Sequence, residues 1–133
     1  SGLLFSRSPP ADQLLAAIVA SSDDAVISKT MDGVVTSWNA SAERIFGYSA
    51  AEMIGGPIAI LAAPGREEEM SDIMARIRRG EKVEHFETTR RRKDGVVIPV
   101  SLTVSPIFGE GGVLIGASKV VRDISAARAA AER

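Results

Sequence analysis

The sequence contains no cysteine among its 133 residues. Disulfides, thiolate catalysis and cysteine-based metal sites are therefore excluded, and a reducing compartment fits. Histidine occurs once, at His85, so a metal site built on it lacks a second histidine or cysteine ligand. Neither sign of charge dominates. Sixteen Lys and Arg stand against 17 Asp and Glu, which gives no electrostatic ground for a nucleic-acid partner or a membrane surface. No apolar run approaches the ~20 residues of a membrane span, and the opening SGLLFSRSPP is too short in hydrophobic length for a secretory signal. A cytoplasmic segment without a membrane part is the expectation. What is present is 45% hydrophobic and 25% charged residues, the composition of a soluble domain with a core of its own.

Ser8-Pro9-Pro10 reads as a helix entry, and Leu14, Leu15, Ile18 and Val19 share one face of the helix that follows. Two short β-type runs, AVISKT and VVTSW, meet at Asp32-Gly33, a hairpin signal. After Trp38 the pattern turns helical, with Asn39 as N-cap and an apolar stripe of Ala42, Ile45 and Phe46 ending at Gly47. Ser49-Ala-Ala-Glu52 is a capping box. A longer helix carries Met70, Ile73, Met74 and Ile77 at i, i+3, i+4 and i+7. Glu67–Glu69 in its first turn match the macrodipole, as do arginines in its last. Three β-type segments follow: Val83–Arg92, Val96–Phe108 and Val113–Arg122. In the second, Ile98, Val100, Leu102 and Val104 share a face. Strands grouped around a helical block predict an α+β fold with an antiparallel sheet.

The stretches DGVVTSWNASAERIFGYSAAEMIG, GEKVEHFETTRRRKDGVVIPVSLTVSPI and GVLIGASKVVRDIS give this order a closer resemblance. Together they resemble the PAS domain, the sensory module of bacterial signalling proteins, over most of Ala25 to Ser125. Asp123-Ile124-Ser125 is similar to the family's Asp-Ile-Thr ending. The resemblance implies a five-stranded antiparallel sheet with short helices over one face, flanked by N-terminal and C-terminal helices. It divides the chain into an N-terminal extension and flanking helix (1–22), a sensor domain (23–124) and the start of an output helix (125–133). It also implies a module that receives a signal or dimerises, and feeds a covalently linked effector such as a histidine kinase. Asp123, Ile124 and Ser125 become the signal output, with Asp123 as a hinge paired to a cation such as Arg122 or Arg128. A helix this short needs a partner helix, since isolated helices require roughly 12–15 residues. A homodimer is expected, with Leu14, Leu15, Ile18 and Val19 packing on an outer sheet face where Val97, Pro99 and Val121 are exposed.

The family's ligand chemistries can be tested against the residues they need. Light-sensing LOV members require a cysteine, and Ile58 stands at that position, while Arg90, Val100 and Ser118 stand where amides hold the flavin; LOV chemistry is excluded. Haem-binding members supply a histidine where Glu69 stands, a poor ligand beside the usual ones, although Met70 is adjacent. Alternation turns His85 outward if Phe86, Thr88 and Arg90 point inward. A buried Arg90 must find an anion: Glu84, another protein carboxylate, or the carboxylate of a ligand. Candidate lining residues of an internal pocket are Ile45, Phe46, Ile58, Ile73, Ile77, Phe86, Arg90, Val100, Leu102 and Ser118. Such a lining packs shut or holds a small apolar or carboxylated metabolite. The only carboxylate cluster, Glu67–Glu69, is explained by its helix terminus, so no catalytic residues are assigned and no enzyme is expected. The cofactor is left unknown. The reading is a dimerising sensory module; the alternatives are a flavin- or haem-containing redox or gas sensor, or a ligand-free structural dimeriser.

Overall fold

Apolar residues at every second position of Val97–Phe108 make this segment a strand with one buried face. The computed structural model describes Ile18 and residues 22–131. Five strands form a single antiparallel sheet: β1 (Ala25–Thr30), β2 (Val35–Trp38), β3 (Val83–Arg91), β4 (Val97–Phe108) and β5 (Leu114–Asp123). Their spatial order is β2-β1-β5-β4-β3, so the last strand occupies the centre, between β1 and β4. Helices α1 (Ala40–Phe46), α2 (Ala50–Met53) and α3 (Glu67–Arg78), with a 3-10 turn at Ile58–Leu61, fill the connection from β2 to β3. Their apolar residues join those of the sheet's inner face in one core. A last helix, α4 (Ser125–Ala131), leaves β5 after a single residue. This is the expected α+β architecture.

Local chemistry explains the element boundaries. Asn39 Oδ1 accepts from Ala42 N at the start of α1 and from Val26 N on β1, both at 3.0 Å, while its Nδ2 donates to the Asp24 carbonyl. One side chain thus caps a helix and holds the entry of β1. Gly47 closes α1 at φ 83°, a conformation that favours glycine. The Ser49/Glu52 capping box is formed in both directions. Trp38 is core filler, its Nε1 donating to the Tyr48 carbonyl at 2.9 Å and its ring 5.7 Å from that of Phe46. Gly116 permits the β1–β5 pairing, because a Cβ there would lie 2.3 Å from the Lys29 carbonyl oxygen.

Two expectations about the sheet faces need correction. Val121 is 1% exposed and belongs to the core; its neighbour Val120 faces outward beside Val97 and the half-buried Pro99. The Val120-Val121 pair hides the alternation, and only the register of β5 resolves it. His85 is exposed, but not through simple alternation: the register of β3 shifts between Val83 and Phe86, and His85 sits at φ 49°. That bulge turns Val83 inward. Of the predicted N-terminal face, Ile18 is helical and exposed, and Leu14, Leu15 and Val19 lie outside the described residues.

Candidate functional site

The inner face of the sheet is not uniformly apolar. On β1 the buried positions are Ala25, Ile27 and Lys29; on β5 they include Ala117, Lys119 and Val121. Ile27 is the register partner of Lys119, and Lys29 of Ala117, so the two lysines are diagonal neighbours on adjacent strands. On β3 the buried residues include Thr88 and Arg90, and Arg90 is completely buried. Three cations therefore lie under the helices, contributed by β1, β3 and β5.

A single carboxylate meets them. Glu69, in the first turn of α3, accepts from Arg90 Nη1 at 2.6 Å and from Thr88 Oγ1 at 2.8 Å, with Arg66 at 3.4 Å on the outer side. Glu69 thus answers the question of Arg90's anion; Glu84 instead pairs with Lys82 on the surface. The macrodipole alone does not account for Glu69, which is the correction to the helix-terminus reading of that acidic cluster. Burial raises the Glu69 carboxyl, but the hydrogen bonds from Arg90 and Thr88 and the charges of Arg90 and Arg66 outweigh it, and the group titrates below its ordinary value.

Arg90 is only half satisfied. Nη1 also donates to the Thr89 carbonyl at 2.8 Å, whereas Nε and Nη2 have no hydrogen-bond partner among the described residues. The two lysines make no ion pair among the described residues. Burial lowers Lys29 to about 8, with the Arg90 charge acting in the same direction. Burial likewise holds Lys119 well below the usual lysine range; Lys29 and Arg90 add to this, and Glu69 opposes it only in part. Lys29 also lines a cleft of about 380 Å³ with Met31, Ile58, Met70, Met74 and others.

Of the ten candidate lining residues, Ile58 alone borders this cleft. Phe46, Ile73, Ile77, Val100 and Leu102 are packed into the core, with Ile45 and Phe86 partly buried against it. Arg90 lies at the Glu69 contact. Ser118 corrects the prediction outright: it alternates with the inward Ala117 and Lys119 and so belongs to the opposite face. The sequence reading missed Lys29 and Lys119. Extending the Ala25-Ile27 alternation by one step would have found Lys29.

The second feature is the exit of β5. Ile124 N donates to the Pro99 carbonyl at 3.1 Å, which carries the β4–β5 pairing one residue past the strand. Asp123 Oδ1 then accepts from Ser125 N at 2.9 Å and from Ser125 Oγ at 2.5 Å. Asp123 is therefore a local brace at the start of α4, not half of an ion pair. Arg122 pairs instead with Asp24 through two nitrogens, and Arg128 reaches Glu87 on β3 at 3.0 Å.

The fold and this exit agree with the comparisons. The profile described as PAS domain matches residues 23–126. The chain belongs to the PAS-domain family. A two-component system protein A from Emericella nidulans is 32% identical over 108 residues, which are 77% of this chain and 15% of that protein. The chain thus spans a small part of the length of the curated relative it matches. The PAS domain of a protein from Colwellia psychrerythraea superposes with a TM-score of 0.82 at 26% identity, covering 88% of this chain and 99% of that one. A domain of a sensory box sensor histidine kinase/response regulator from Geobacter sulfurreducens shares the fold, with a TM-score of 0.71 at 19% identity over 84% and 93% of the chains. This is a PAS sensory domain, related to a two-component system protein. Among the described residues no helix is long and apolar enough to cross a membrane.

Proposed function

We propose that this PAS domain is a non-enzymatic relay in a two-component signalling protein, passing a change at its inner sheet face through β5 to α4 and a linked effector, such as a histidine kinase. The observation that carries the reading is the brace at Asp123-Ile124-Ser125. Strand pairing, a side-chain cap and the root of α4 share three consecutive residues there, so a small shift of β5 must re-aim the helix. The central place of β5 supports it, because any ligand that displaces Lys119 acts on the strand that ends in the brace.

All residues of α4 are exposed, and it holds on to the domain through few polar contacts. A second copy of the chain would cover it, which supports a homodimer; sedimentation that shows only monomer at high concentration would remove this part. The ligand of the relay is a small apolar or carboxylated metabolite. The residues fit a flavin adduct or haem less well. Ile58 stands at the cysteine position, and Glu69 is already committed to Arg90 and Thr88.

The test is Asp123→Ala in the full-length protein. The cap contributes about 1 kcal/mol, so the variant should keep its sheet and nearly its Tm while effector output changes several-fold. Unchanged output with a verified fold would overturn the relay; loss of folding would make Asp123 structural.

A further inference from the structure

The inner face carries Lys29, Arg90 and Lys119 against one carboxylate, Glu69. Burying a charge is unfavourable unless it is paired, and breaking even on three cations requires more anion than the described residues supply. Two facts locate the deficit. Arg90 Nε and Nη2 are buried without a partner, and Lys29 connects this group to a cleft whose other walls include Ile58, Met70 and Met74. Polar anchors at the bottom of an apolar-walled space describe a small-molecule site, and about 380 Å³ lies within the usual range for one.

We propose that this face binds a small organic acid, its carboxylate held by Lys29, Lys119 and the unpartnered edge of Arg90, and its apolar body in the cleft against Ile58, Met70 and Met74. This deepens the sensory reading by naming the ligand's chemical class, and rests on it only for the consequence of binding. Arg90 is held in place by Glu69 and Thr88, so it meets the ligand pre-oriented. The lysines are the adjustable members. Both titrate below the usual lysine range in the empty site, and an anion would restore their charge, so binding should take up protons. The other charged groups facing them are Arg90 of β3 and Glu69 of α3, with Asp32 and Arg78 at the cleft.

The experiment is thermal unfolding of the 133-residue chain, refolded from denaturant to empty the site, with succinate, hexanoate or inorganic phosphate at constant ionic strength. The expected result is a saturable rise in Tm with at least one carboxylate, roughly 5–10 °C at about a hundredfold excess over Kd. Lys29→Met and Lys119→Met should melt no lower than wild type without ligand, because each removes a buried unpaired charge, and should lose the shift. Lys119→Gln serves as a second variant should the Met substitution disturb packing. A shift that persists in the lysine variants, a shift with phosphate alone, or no saturable shift at all would overturn the assignment. No effector is present in this experiment. Carboxylate binding alongside an inert Asp123→Ala variant would therefore sink the relay and leave the site standing.

Discussion

Lys29 shows how one residue ties the fold to pH. It is 3% exposed, on a strand whose other inward residues are Ala25 and Ile27. In the unfolded chain it titrates near 10.5; in the fold it is lowered to about 8 by burial and then by Arg90. Between those values the unfolded state holds more protons, so stability rises with pH through that window, and the full cost of the buried charge is present below it. The gap corresponds to roughly 3 kcal/mol. Lys119 acts with the same sign. Glu69 acts from the other end: its lowered pKa stabilises the fold above the ordinary carboxyl range and is lost in acid. Equilibrium urea unfolding at about pH 7 and about pH 10 should therefore find the wild type more stable at the alkaline value, and Lys29→Met more stable than wild type at neutral pH with a reduced rise. Equal stability at both pH values would mean that Lys29 keeps its charge solvated.

Among the elements, β1 and α1 depend on each other through Asn39. Its amide meets Val26 N and Ala42 N as acceptor and the Asp24 carbonyl as donor. Asn39→Ala should cost about 2 kcal/mol or more, beyond a helix cap alone, because a half-buried strand donor is also orphaned. A loss below about 0.5 kcal/mol in denaturant titration would show that water replaces the amide. This cap, the Ser49 capping box and the alternation in β4 were legible in the sequence, because each is a local rule written in neighbouring residues. The charged interior was much less so. Arg90 was visible as a cation in need of an anion, but its partner lies 21 positions earlier in the chain on another element. In LIGASKVVRD, small residues and the Val120-Val121 pair supply apolar character to both faces, so Lys119 reads as surface until the register with Ile27 and Val104 places it inside. The bulge before Phe86 has no signature in VEHFETTRR, where it turns Val83 inward against strict alternation.

At the scale of the whole molecule, near-zero net charge conceals an uneven distribution. Acidic side chains lie mostly at the surface, while three cations share the space between sheet and helices. The strand that carries one of them is central in the sheet and ends in the brace that launches α4. The central claim is that the state of Lys119 is felt at α4. Amide hydrogen exchange compares this directly in wild type and Lys119→Met, read at Ile124, Ser125 and Arg128, whose N–H groups bond to Pro99, Asp123 and Ile124. The account predicts a several-fold change in exchange at these three amides, slower in the variant because removing the buried charge steadies β5. A change confined to the neighbours of Lys119, with the three junction amides unaltered, would contradict it.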